Sequence, residues 1–252
     1  MLYAALTFWL LVIVFSAWGV HWLWSGMVKP RVVNTVLLPG TLVAQLGHVL
    51  GLLITGNSVQ NAALMGDDEK GAPQADSPQQ QRIPVIGPVI IGLLPLLACA
   101  VWLYIAAKYW GQSVLGPLGD GAALAVPQAL PTKLAEVWNL MRNCITAIEN
   151  MLNAILAADL TQWRTALFLY LAVCLTVRMT PFEGNRRGAV GAIALSGLTI
   201  AILAAITKQV DAFVLSSWPI LSFAVGMLLF LLLVSSLISG IVGLIKVLAK
   251  NQ

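Results

Sequence analysis

The stretch PILSFAVGMLLFLLLVSSLISGIVGLI, Pro219 to Ile245, contains no Asp, Glu, Lys or Arg. A hydrocarbon core about 30 Å thick needs roughly 20 apolar residues in helical form to cross it. This run exceeds that length, so it reads as a membrane-spanning helix, closed by Lys246 and Lys250. Five further runs read in the same way: Leu2 to Trp24, Val32 to Thr55, Pro84 to Ala107, the shorter Thr165 to Met179, and Ala189 to Thr207. The whole composition agrees. Of 252 residues, 59% are hydrophobic and 10% charged, and the mean hydropathy is +0.88. Soluble domains carry about 25% charged residues, and so few charges could not cover a globule of this size in water. The expectation is an all-α, polytopic transmembrane helical bundle. It has about six spans plus one amphipathic helix, and forms a single integral membrane domain over residues 1–252.

The connecting segments sort by composition. Residues 57–82 include GDDEKGAPQADSPQQQ, which is too polar to bury a core, and read as a flexible polar loop. Gly111 to Pro131 reads as a Gly/Pro-rich linker. Residues 132–158 differ from both. Leu134, Val137, Trp138, Met141, Ile145, Ile148, Leu152 and Ile155 recur at three- and four-residue spacing. Lys133, Glu136, Arg142, Asn143, Glu149 and Asn150 fill the other sectors. That pattern is an amphipathic helix lying on the membrane surface, on a partner or on the bundle.

The first run lacks a basic start and an A-x-A-like end, and it closes with Trp18, Trp22 and Trp24. It therefore reads as a retained anchor with an interfacial aromatic belt. The net charge of +4 is spread along the chain with no dense basic block, which excludes a nucleic-acid partner. Cys99, Cys144 and Cys174 lie in apolar or amphipathic runs without CxxC spacing, so neither a disulfide framework nor a thiolate metal site is indicated. Six spans place both termini on one face. Basic residues in the short loops lean toward the cytoplasmic face. Compact loops and few cysteines fit a bacterial inner membrane.

One span carries chemical information. It opens LPGTLVAQLGHVL, Leu38 to Leu50, and places His48 in mid-membrane, where an ionisable side chain is costly and a functional candidate by default. The string resembles the PGxxxHExxH helix of membrane-embedded zinc metallopeptidases, the site-2-protease-like group. In that family two histidines one helical turn apart bind zinc and the glutamate between them acts as general base. By this resemblance His48 matches the second histidine, Ala44 stands at the first, and Gln45 replaces the glutamate. The family's later acidic ligand sits in a segment like P-S-x-x-D-x-x-G. The turn Pro181-Phe182-Glu183-Gly184-Asn185-Arg186-Arg187-Gly188 resembles it, with Asn185 at the carboxylate position.

The departures decide what the resemblance implies. Alanine offers no lone pair, asparagine only a neutral carbonyl, and glutamine cannot take a proton from water. A catalytic zinc site needs three protein ligands and an activated water. The implied function is a non-catalytic relative that acts as a scaffold or partner-binding subunit of a membrane complex, with lipids and another membrane protein as partners and no cofactor. Two alternatives stand beside it. An active zinc metallopeptidase would need Glu183 or His21 as replacement ligands. A transporter or channel subunit would need a polar path that the spans, His48 apart, do not offer.

A plainer reading needs no ancestry. Gly40, Ala44, Gly47 and Gly51 form a small-residue stripe that lets another helix approach closely, with His48 hydrogen-bonding across the contact. Arg178, Arg186 and Arg187 make a basic turn suited to interfacial anchoring, anionic lipid head groups or an acidic partner segment.

Overall fold

A computed structural model describes residues 2–57, 86–119, 122–179 and 209–250. Among these the fold is helical throughout, with no strand. The elements are α1 (Leu2–Met27), α2 (Pro30–Val36), α3 (Leu38–Ile54), α4 (Ile86–Trp110), α5 (Gln112–Leu115), α6 (Leu134–Ala157), α7 (Trp163–Val177) and α8 (Gln209–Lys250). Two 3-10 turns, Gly116–Leu118 and Ala122–Leu124, lie between α5 and α6. Three helices are long and apolar enough to cross a membrane: Leu2–Met27, Val89–Trp110 and Asp211–Leu248. The α2–α3 pair makes a fourth if it counts as one broken span. This is compatible with an integral membrane protein. The expected 57–82 loop (beyond Asn57) and the expected span Ala189 to Thr207 lie outside the described residues.

The second expected span is not one straight helix. It breaks at Leu37, and its halves are bent by 75°. The cause is local. Pro39 sits in the first turn of α3, where its missing N–H costs nothing, whereas inside a continuous helix it would remove a hydrogen bond and crowd the preceding turn. The chain therefore ends one helix at Val36 and starts another at Leu38. Thr41 steadies the new start by donating its hydroxyl to Leu37 O at 3.0 Å. By contrast, α4 runs through Pro95 without a break in the helix. α7 has only 15 residues, about 22 Å at 1.5 Å per residue, which is less than the hydrocarbon thickness.

α1 and α8 lie side by side and run in the same direction. Near their starts the Tyr3 hydroxyl donates to the Asp211 carboxylate. Midway, Gly19 is close enough to Leu232 that an added Cβ would sit 3.0 Å from its methyl. Toward the end of α1 the Trp24 indole N–H donates to Ser235 Oγ at 2.8 Å. Two parallel helices that both cross a bilayer put the first and last residues of the chain on opposite faces. If both cross, the number of crossings from α1 through α8 is odd, whereas the expected six spans put both termini on one face.

The Gly/Pro-rich linker is also more than a linker, because part of it is wedged into the bundle. Trp9 on α1 donates its indole N–H to Pro127 O at 2.9 Å, and Trp218 on α8 donates to Val126 O at 2.8 Å. Ser222 Oγ accepts from Val126 N at 3.2 Å. Buried irregular backbone needs protein partners for its hydrogen bonds. Here the two tryptophans and a serine supply them, and Leu124 and Val126 join the buried core beside Met151 of α6.

Candidate functional site

α3 is two-faced. Leu42, Leu46, Leu50 and Leu53 are exposed, while Gly40, Ala44, Gln45, Gly47, His48 and Gly51 are buried. The repeat of about 3.6 residues per turn puts the small and polar residues on one side, and that side meets α4 and α7, the principal neighbours of α3. Contact there is backbone to backbone. A Cβ added at Gly47 would lie 2.7 Å from Leu94 O and 2.8 Å from Pro95 Cα, and one added at Gly51 would lie 3.0 Å from Ile91 Cα. α3 and α4 run antiparallel, since Gly47 meets residues 94–98 and Gly51 meets Ile91. At the other end of α3, Gly40 touches the backbone carbonyl of Cys174 on α7. These three glycines are what let three helices close on one another.

His48 and Gln45 sit inside this packing at 8% and 6% exposure, and Ala44 at 0%. Neither polar side chain is free. Asn185, Glu183, Arg186 and Arg187, which the sequence pairs with them, lie outside the described residues. His21 stands on α1, which is not among the principal neighbours of α3. Among the described residues, no three His, Cys, Asp or Glu side chains gather so as to hold a metal ion.

Zinc does not fit the donor set on α3. One helical turn before His48, where the resemblance requires a second imidazole, a fully buried alanine methyl faces the bundle. Beside it Gln45 brings a neutral amide, which can hydrogen-bond but cannot act as a base near neutral pH. The chemistry available on this face is hydrogen bonding and close packing.

Arg178 departs from its expected place. It is not on an exposed basic turn but buried at 7% exposure. α7 ends at Val177, so Arg178 caps it within the bundle, with its stem against Gly40 and its guanidinium donating to Asn34 Oδ1 at 2.7 Å. The reason is the break at Leu37. Val36 O, beside that break, accepts from the Tyr170 hydroxyl at 2.8 Å and from the Cys174 thiol at 3.4 Å. Asn34, Tyr170, Cys174 and Arg178 together tie the α2–α3 elbow to α7. This cluster was not legible in the sequence. Its one visible signal was Asn34, an amide within an apolar run and a few residues ahead of a proline.

Two described cavities lie elsewhere. One of about 520 Å³, between α1, α4 and α8, is walled by Leu6, Leu10, Leu97 and Leu221 among others. The second, of about 350 Å³, lies between the C-terminal end of α4 and α8, beside Lys108. Neither is lined by a residue of α3. No family model, no curated protein and no solved structure matches the chain.

Proposed function

We propose that this chain is a non-catalytic polytopic membrane protein, similar to an intramembrane metallopeptidase emptied of its chemistry. Its role is to hold or recruit another membrane or membrane-associated protein, in a setting such as a bacterial inner membrane. The observation that carries this reading is the backbone-to-backbone seat of α3. Where the resemblance calls for an open metal site there is a closely packed contact, with Gly47 against the Leu94 carbonyl and Ala44 fully buried. Close approach through small residues is a packing device of membrane helices, and it leaves Gln45 and His48 as buried polar groups within the bundle. The parallel direction of α1 and α8 supports, within this reading, an odd number of crossings with the chain termini on opposite faces.

The test is twofold. Purified from its membrane in mild detergent, the protein is expected to bring one other membrane protein with it at fixed ratio. Reconstituted in vesicles, it is expected to leave transmembrane peptides uncut whether or not zinc is added. Zinc-dependent cleavage that is lost in His48→Ala would overturn the proposal, as would isolation as a single species at every detergent strength tried.

A further inference from the structure

α6 divides into three faces, and each meets a different environment. Ala147, Met151, Ala154 and Ala158, at four- and three-residue spacing, are buried. They press on the bundle near Gly226 of α8 and the wedged segment, where Asn150 donates to Ala123 O at 2.9 Å. A second face carries Arg142, Asn143, Thr146, Glu149 and Asn153, all exposed. The third is large and apolar. Leu134, Trp138, Met141, Ile145, Leu152 and Leu156 follow one another at spacings of three, four and seven, and all are exposed, Leu134 at 86% and Leu156 at 74%. The helix therefore gives its small residues to the protein and leaves its large apolar ones uncovered.

We infer that this third face of α6 is seated in the lipid of the bilayer surface, with the helix lying along the edge of the bundle. Two observations favour lipid over a protein cover. First, the three faces divide the circumference of the helix between them, the large apolar face lying between the bundle-facing stripe and the polar face. A helix needs this division when one side is protein, one is hydrocarbon and one is water. Second, exposed aromatic side chains stand at the ends of α4 and α7 and on the apolar face itself. α5, which directly follows α4, is held to the start of α7 by the Ser113–Thr165 hydroxyl pair at 2.7 Å. Around that junction Tyr109 and Trp163 are exposed, and Trp138 on α6 is exposed as well. Exposed Trp and Tyr at the ends of membrane helices mark the headgroup level. The charges on α6 and its cap, Lys133 and Arg142 against Glu136 and Glu149, balance, so the seat does not depend on anionic lipid. At its N-terminus the Glu136 carboxylate reaches back to accept from Thr132 N at 2.6 Å and Lys133 N at 3.3 Å. These bonds hold its pKa below the ordinary value, so the ionised carboxylate fixes the first turn at the surface.

This inference does not depend on the function proposed above. The full chain, with its three cysteines replaced, would carry single nitroxides at Met141, Ile145 and Leu152, at Arg142, Glu149 and Asn153, and at Met151, in phosphatidylcholine vesicles. The first group is expected to collide with oxygen far more than with a water-soluble nickel chelate, the second group to show the reverse, and Met151 to be shielded from both. If the cysteine-free protein does not fold, Trp138→Phe in the native background serves instead, and is expected to lose part of the fluorescence quenched by lipids brominated near the headgroup. Chelate access at 141, 145 and 152, shielding of all three from both reagents (as by a second copy or a partner), or unchanged quenching in Trp138→Phe would each overturn the inference.

Discussion

Alanine at Gly40 is expected to be the most damaging glycine-to-alanine change among the described residues. The new methyl would run into the Cys174 carbonyl of α7, with the Arg178 stem 3.1 Å away, and backbone cannot step aside as a flexible side chain can. Overpacking a well-filled core costs about 1–3 kcal/mol and occasionally more, and a collision with helix backbone belongs at the upper end. The damage also spreads, because the same contact holds the elbow between α2 and α3, where Arg178 reaches Asn34 and Tyr170 reaches Val36 O. Gly47→Ala meets the Leu94 carbonyl and Ala98 and should cost nearly as much. Gly240→Ala and Gly243→Ala are the controls, because nothing lies within 4 Å of the added carbon. There a better helix former is expected to leave stability unchanged or slightly raised. Thermal unfolding in one detergent checks the series. Equal melting points for Gly40→Ala and Gly240→Ala would contradict the packing described.

The second large effect concerns the position of the chain ends. Reporters that are active on only one side of a membrane, fused in turn to Met1 and Gln252, are expected to give opposite answers. The argument needs only that α1 and α8 both cross. Their direction follows from three contacts far apart along the pair, Tyr3 with Asp211, Gly19 with Leu232, and Trp24 with Ser235. An antiparallel pair could satisfy one of these, but not all three. Two reporters active on the same side would show that one of the two helices does not cross. α8 extends well past this pairing. Its 42 residues make about 63 Å at 1.5 Å per residue, twice the hydrocarbon thickness. Beyond Ser235 it carries exposed Leu237, Ile241, Leu244 and Leu248.

The all-helical class with long apolar helices was legible from composition, and α1 and α6 were legible to within three residues at each end, because hydropathy and amphipathic periodicity act on each residue where it stands. The small stripe on α3 was legible too, since a helix with glycine or alanine at 40, 44, 47 and 51 has few uses other than close approach. What was hidden depends on partners distant in sequence. Pro39 was in plain view, yet whether a proline kinks a span or splits it depends on what receives the freed backbone, here Tyr170 and Cys174. Arg178 looked exposed because its acceptor, Asn34, lies 144 residues away. The wedge at Val126 and Pro127 looked like a linker because its hydrogen bonds come from Trp9 and Trp218, each about 90 residues or more away in sequence.

The central claim is that His48 belongs to a packed helix contact and not to a metal centre, and metal analysis of the purified protein tests it most directly. Wild type and His48→Ala, prepared in parallel without chelator and dialysed against trace zinc, are expected to carry the same substoichiometric metal. One zinc per chain in the wild type, absent from His48→Ala, would contradict the claim and restore a metallopeptidase-like site with ligands drawn from elsewhere in the chain.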